Sequence, residues 1–169
     1  MKEVKSLNNV KLENRAADLE RKTTEMEQYK RRWTLRLNGL KEKQDENTRE
    51  LTVDLLLKIV PHWKDKINWI LDLMHRLGKS SDHPRQIIMQ FTARIYRDEL
   101  WRVTKCHPIC MDLYLRFAED LTKEDREART AVWPKVEQAR KEGLKAMFRG
   151  PYAYIDGQRV MPQYCWVQV

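Results

Sequence analysis

The chain has 169 residues, 41% hydrophobic and 34% charged; 33 Lys plus Arg against 25 Asp plus Glu give a formal charge of +8 and a pI near 9.4. That length allows one domain, or two small ones with an extension, and six Trp, six Tyr and three Phe exclude wholesale disorder. The positive surplus suits a polyanionic partner, nucleic acid or an acidic membrane surface. A transmembrane helix is excluded, because no run reaches about 18 apolar residues. Met1-Lys2-Glu3-Val4-Lys5 leads into no apolar core of a secretory signal. Three cysteines do not pair evenly and favour a reducing, intracellular compartment.

Residues 1–30 contain no proline or glycine. Leu12, Leu19 and Met26 lie one heptad apart, with Ala16 and Thr23 at the intervening seam positions. This is the seam of a coiled coil, about two to three heptads long, and it predicts a helix that associates with copies of itself. Tyr29-Lys30-Arg31-Arg32 then joins it to Trp33-Thr34-Leu35-Arg36-Leu37-Asn38, whose period-2 alternation predicts a half-buried strand ending at Gly39. Asn47 with Glu50 three residues on marks a helix start, and Leu51, Leu55, Leu56, Ile59 and Val60 supply its apolar face up to Pro61.

A second strand is predicted from Ile70 to Leu77, with Leu71 and Leu73 inward and Asp72 and Arg76 outward. Gln86–Phe91 is the clearest strand, with Ile87, Met89 and Phe91 inward. Arg94–Lys105 reads as a helix buried through Ile95, Leu100 and Val103, and Leu113–Phe117 as a short fourth strand. Thr122 caps a further helix with Ala128, Val132, Val136 and Ala139 on one side; Pro134 should kink or split it and Gly143 should end it. Asp156-Gly157 is a hairpin turn signal between two short strand runs. The expected fold class is therefore α+β. A coiled-coil helix (1–30) precedes a βαββαβ sheet backed by two helices (31–120), then a small helix-plus-hairpin domain (121–160) and a tail (161–169).

The first strand looks like that of an RNA-recognition (RRM-like) sheet, with Arg36, Gln86 and Ile88 standing where such sheets carry base-stacking rings. The chain as a whole resembles the RNA-binding first-open-reading-frame protein of LINE-type (long interspersed) retrotransposons. The residues that carry the likeness are Arg31 to Leu40, His75-Arg76-Leu77-Gly78-Lys79, Pro84 to Phe91, Glu119 to Arg126 and Phe148-Arg149-Gly150-Pro151-Tyr152. That resemblance implies a trimer that coats the element's RNA and acts as a nucleic-acid chaperone, in cytoplasmic ribonucleoprotein particles or the nucleus. Single-stranded RNA is the implied partner and single-stranded DNA a further one. The implied contacts are Arg76, Arg85, Arg102, Arg129 and Arg149, with Tyr152 beside the last.

Arginine fits this role because its planar fork meets phosphate bidentately and stacks on bases. Arg36, Arg76 and Arg85 fall on one predicted sheet or its rim, although a solvated face would look the same. Tyr152 reads as a stacking residue and Tyr154 as hairpin packing. Cys106-His107-Pro108-Ile109-Cys110 offers three metal-capable side chains, but structural zinc takes four at set spacings, so neither metal nor cofactor is expected. His62 and His75 read as structural. No phosphate-binding glycine loop or nucleophile motif appears, and no enzyme activity is expected. The alternative is a coiled-coil adaptor, or a truncated, domesticated copy, whose basic domain binds acidic proteins.

Overall fold

The computed structural model describes residues 2–79 and 82–160; the expected tail, 161–169, lies outside the described residues. The fold is α+β, with a long N-terminal helix, two antiparallel sheets and a terminal hairpin. The chain divides into two compact units, with the boundary in the sequence between Asp120 and Leu121.

In the first unit, α1 (Lys2–Arg31) runs into β1 (Thr34–Asn38). Ion pairs one turn apart, Asp18–Arg21 and Arg21–Glu25 at 2.7 Å each, line its exposed surface, where water screens them. The order then continues through α2 (Thr48–Ile59), a 3-10 turn (Pro61–Trp63), α3 (Ile67–Ile70), β2 (Leu71–Arg76), β3 (Ile87–Phe91), α4 (Arg94–Thr104), α5 (Pro108–Asp112) and β4 (Arg116–Glu119). The sheet order is β2-β3-β1-β4, antiparallel throughout. Leu35 and Leu37 of β1 and Ile87, Met89 and Phe91 of β3 bury one face against Leu55, Leu56 and Ile59 of α2 and Leu100 of α4. Asn47 caps α2 by accepting from the N–H groups of Arg49 and Glu50.

Four expectations need correction. The register slips by one residue between Leu71 and Leu73, and a slip of one sends every later side chain to the opposite face. Leu73 is therefore outward and 46% exposed, while Arg76 pairs with Ile87 on the inward side and is buried. In α4 the buried positions are Arg97, Leu100 and Thr104. Ile95 lies five residues before Leu100, nearly opposite on a helix, and it and Val103 are exposed. The fourth strand begins later, at Arg116, because Pro108 at the first turn of α5 starts a short helix instead. Ile70 likewise ends α3 rather than starting β2.

Gly39 shows why the first strand must end where it does. Its φ is +90°, and a Cβ there would stand 2.6 Å from the backbone oxygen of Tyr114. Gly39→Ala should lose about 1–2 kcal/mol to the left-handed backbone and a further roughly 1–3 kcal/mol to the clash. In a urea titration the midpoint should fall with the slope unchanged.

The second unit comprises α6 (Lys123–Lys141) and a sheet of β5 (Ala146–Arg149), β6 (Tyr152–Ile155) and β7 (Gln158–Val160) in that order. Thr122 caps α6 by accepting from the Asp125 N–H at 3.1 Å. Pro134 does not split the helix, which runs on to Lys141. Val132 and Val136 pack on Ala153, with Phe148, Ala146 and Val160 around them. Asp156 and Gly157 both take positive φ, 49° and 83°, as a two-residue hairpin turn requires.

Candidate nucleic-acid interface

Arg76 ends β2 pointing inward, where an unpaired guanidinium would be prohibitively costly. Its five N–H groups meet five acceptors. Nε donates to Glu46 Oε1 at 2.7 Å, Nη1 to the carbonyls of Leu40 and Arg85 at 2.8 Å each, and Nη2 to the Lys41 carbonyl at 3.2 Å and Glu46 Oε2 at 3.1 Å. Its side chain is 4% exposed. The guanidinium holds the Glu46 carboxyl down to about 2, against an ordinary 4.5, with further help from the Lys43 N–H and the Thr48 hydroxyl. Arg76 thus ties the loop after β1 to the sheet edge and is withdrawn from any phosphate.

Arg85 grips Glu42 in a bidentate pair and donates to the Gly78 carbonyl. The pair lowers the Glu42 carboxyl and raises the arginine. Arg36 stands on the open face of the sheet, across from Ile88 and Ala118. There it donates from Nε to Asp120 Oδ1 at 2.7 Å and from Nη1 to Gln86 at 3.2 Å. Arg102 is on the exposed side of α4, and α4 packs against the other face of the sheet. The first unit therefore does not bring Arg36, Arg76, Arg85 and Arg102 together as free cations: three of the four already hold a carboxylate.

The second unit is arranged differently. Directly opposed residues share a face, so the register puts Met147, Tyr154 and Arg159 in one cross-strand row and Arg149 and Tyr152 in the next. These five form the outer face of the sheet, while Phe148, Ala153 and Val160 face α6. The Arg159 guanidinium lies 3.5 Å above the Tyr152 ring, and that of Arg149 lies 5.7 Å from the Tyr154 ring. Each contact is worth about 0.5–1 kcal/mol at an exposed site and leaves the guanidinium edges open. Among the described residues no carboxylate pairs with Arg149 or Arg159. Arg129 sits round the edge, donating to the Gly150 carbonyl at 2.6 Å with its guanidinium 5.1 Å from Phe148. Phe148 in turn stacks parallel to Trp133, whose ring lies under Arg140.

Of the residues expected from sequence, the structure gathers Arg149 and Tyr152 on this face and Arg129 beside its turn. Tyr154, expected as packing, shares the outer face. Arg159 was not anticipated, although the signal was present. A two-residue Asp156-Gly157 turn sets Ile155 against Gln158, so the next pair is Tyr154 with Arg159.

Among the described residues no group of three metal-capable side chains converges. Cys106 and Cys110 are free, the first exposed and the second buried, and burial raises the Cys110 thiol. No helix among the described residues is long and apolar enough to cross a membrane. Comparison with family models and with curated proteins found no match to this sequence.

Proposed function

We propose that the chain is a single-stranded nucleic-acid binding protein, acting chiefly on RNA, whose contact surface is the outer face of the second sheet. The observation that carries this reading is the interleaving of Arg149 and Arg159 with Tyr152 and Tyr154 on one face, with no acid among them. Phosphate-seeking cations between base-sized rings are what a single strand needs, since every base offers a π-face and every nucleotide a phosphate. The resemblance to LINE-type RNA-binding proteins points the same way. The sheet order β2-β3-β1-β4, with a helix after the first and third strands, supports the RRM-like reading of the first unit. On this reading α1 gathers copies through Leu12, Leu19 and Met26, so that several platforms coat one strand, as expected of a retrotransposon RNA coat and chaperone in a ribonucleoprotein particle. DNA single strands should bind by the same contacts.

A salt titration tests this. For single strands, log affinity falls with log salt by about 0.7 per neutralised phosphate. Arg149→Ala and Arg159→Ala should each reduce that slope by about 0.7 and weaken two unrelated RNAs alike. Arg149→Lys should restore the slope but only part of the affinity, having lost the bidentate fork. Affinity insensitive to salt, or an acidic peptide bound as tightly as RNA, would replace this reading with that of a protein adaptor.

A further inference from the structure

The open face of the first sheet carries aliphatic rather than aromatic side chains. Leu73, Leu77 and Ile88 floor a groove of about 400 Å³, and Glu27, Lys30 and Arg31, from the last turn of α1, form one wall. Leu73 is outward because of the bulge in β2, so an apolar side chain of the edge strand joins Ile88 of β3 on the open face. The groove is held rigidly. Asp120 is buried and accepts from Arg31 Nη1 at 3.2 Å, from Thr34 Oγ1 at 3.0 Å and from Arg36 Nε at 2.7 Å. That three-way junction fixes the end of α1 against the edge of the sheet. The Arg36–Asp120 pair also closes the face to phosphate.

The exposed seam of α1 leads to this place. Leu12, Leu19 and Met26 are 65%, 58% and 72% exposed, and with Ala16 and Thr23 between them they make an alternating four-and-three spacing that continues to Lys30, which lines the groove. A second copy laid in parallel along that seam brings its own Lys30 and its own groove to the same axis. The rim is self-complementary, since Glu27 of one copy can face Lys30 of another. A rim that carries both signs can repeat such a contact around a symmetry axis.

We infer that the open face of the first sheet is an interface with a second copy of this chain, continuous with the seam of α1, and is not a nucleic-acid surface. The groove then buries Leu73 and Ile88 between copies, and the short seam gains the apolar area that an isolated helix of this quality lacks.

The experiment is sedimentation of the full chain as wild type, as Leu73→Glu with Ile88→Glu, and as Leu19→Glu. The double variant should weaken association roughly tenfold or more, because two carboxylates would have to be desolvated at the contact. Leu19→Glu should weaken it comparably. Circular dichroism reports whether the double variant keeps its fold. Should it not, a photo-crosslinking amino acid in place of Leu73 supplies the second measurement, and its adducts should join two chains at the groove or the last turn of α1. Unaltered association of a folded double variant, adducts confined to one chain, or a monomeric wild type at high micromolar concentration would each overturn the inference. Salt-dependent RNA binding by the monomeric variants is read separately, so loss of this interface and loss of the RNA platform are distinguishable.

Discussion

Arg76→Ala is expected to cost about 3–5 kcal/mol of stability, because it removes a buried guanidinium and leaves the half-buried Glu46 carboxylate without its partner. Against a typical total of about 5–15 kcal/mol, that is enough to unfold a substantial fraction of the first unit on mild heating. Five hydrogen bonds disappear together, and the loop from Leu40 to Glu46 loses its attachment to the sheet edge. Arg76→Lys should recover little, since three donors on a flexible stem cannot reproduce a five-donor fork. The pair also sets an acid limit. The folded-state Glu46 carboxyl lies below its unfolded value, so its contribution is complete above about 4.5 and is lost as pH falls toward about 2. Urea midpoints of wild type and Arg76→Ala should therefore draw closer over that interval and lie furthest apart at neutral pH, the residual gap being the three carbonyl hydrogen bonds, which do not titrate. Under conditions where the variant is folded, its salt slope on RNA should equal that of wild type. A slope lower by about 0.7, with the fold intact, would show that Arg76 meets phosphate after all.

Replacing Tyr152 and Tyr154 together by alanine should cost RNA affinity about 1–3 kcal/mol for each base that loses its ring. The salt slope should stay where it was, because Arg149 and Arg159 keep their phosphates. This is the inverse of the arginine variants, and the two sets divide binding energy between stacking and charge. Tyr→Phe at both positions should retain most of the affinity, since the ring and not the hydroxyl does the stacking. Tyr152 lies at the exposed end of β6 and Tyr154 is only half-buried, so the sheet, held through Ala153 and Phe148 on its other face, should survive the change. Anisotropy titrations on two unrelated single-stranded RNAs would measure it. Equal affinity of the alanine pair and wild type would reduce the tyrosines to hairpin packing and leave the platform purely ionic.

Sequence alone determined the parts whose physics is local. Alternation at Leu35, Leu37, Ile87, Met89 and Phe91 assigned the inward faces of β1 and β3, because a strand's side chains alternate whatever surrounds it. Asn47 and Thr122 announced their helices because a cap bonds to N–H groups two or three residues on. Asp156-Gly157 announced its turn because few residues tolerate two successive positive φ values. Tertiary structure alone decided which arginines are free. Arg36, Arg76, Arg85, Arg149 and Arg159 are the same residue in sequence, and an arginine's fate is set by the carboxylate it meets. Arg36 finds Asp120 84 positions later, and Arg85 finds Glu42 43 positions earlier. The bulge in β2 is of the same kind. It reverses Leu73 and Arg76 because β3 holds the register of its neighbour through hydrogen bonds that no pattern within Leu71–Arg76 encodes. Where a contact is made within one turn or one pleat, residue spacing is enough to read it. Where it closes a loop of tens of residues, only the packed chain brings the two charges together.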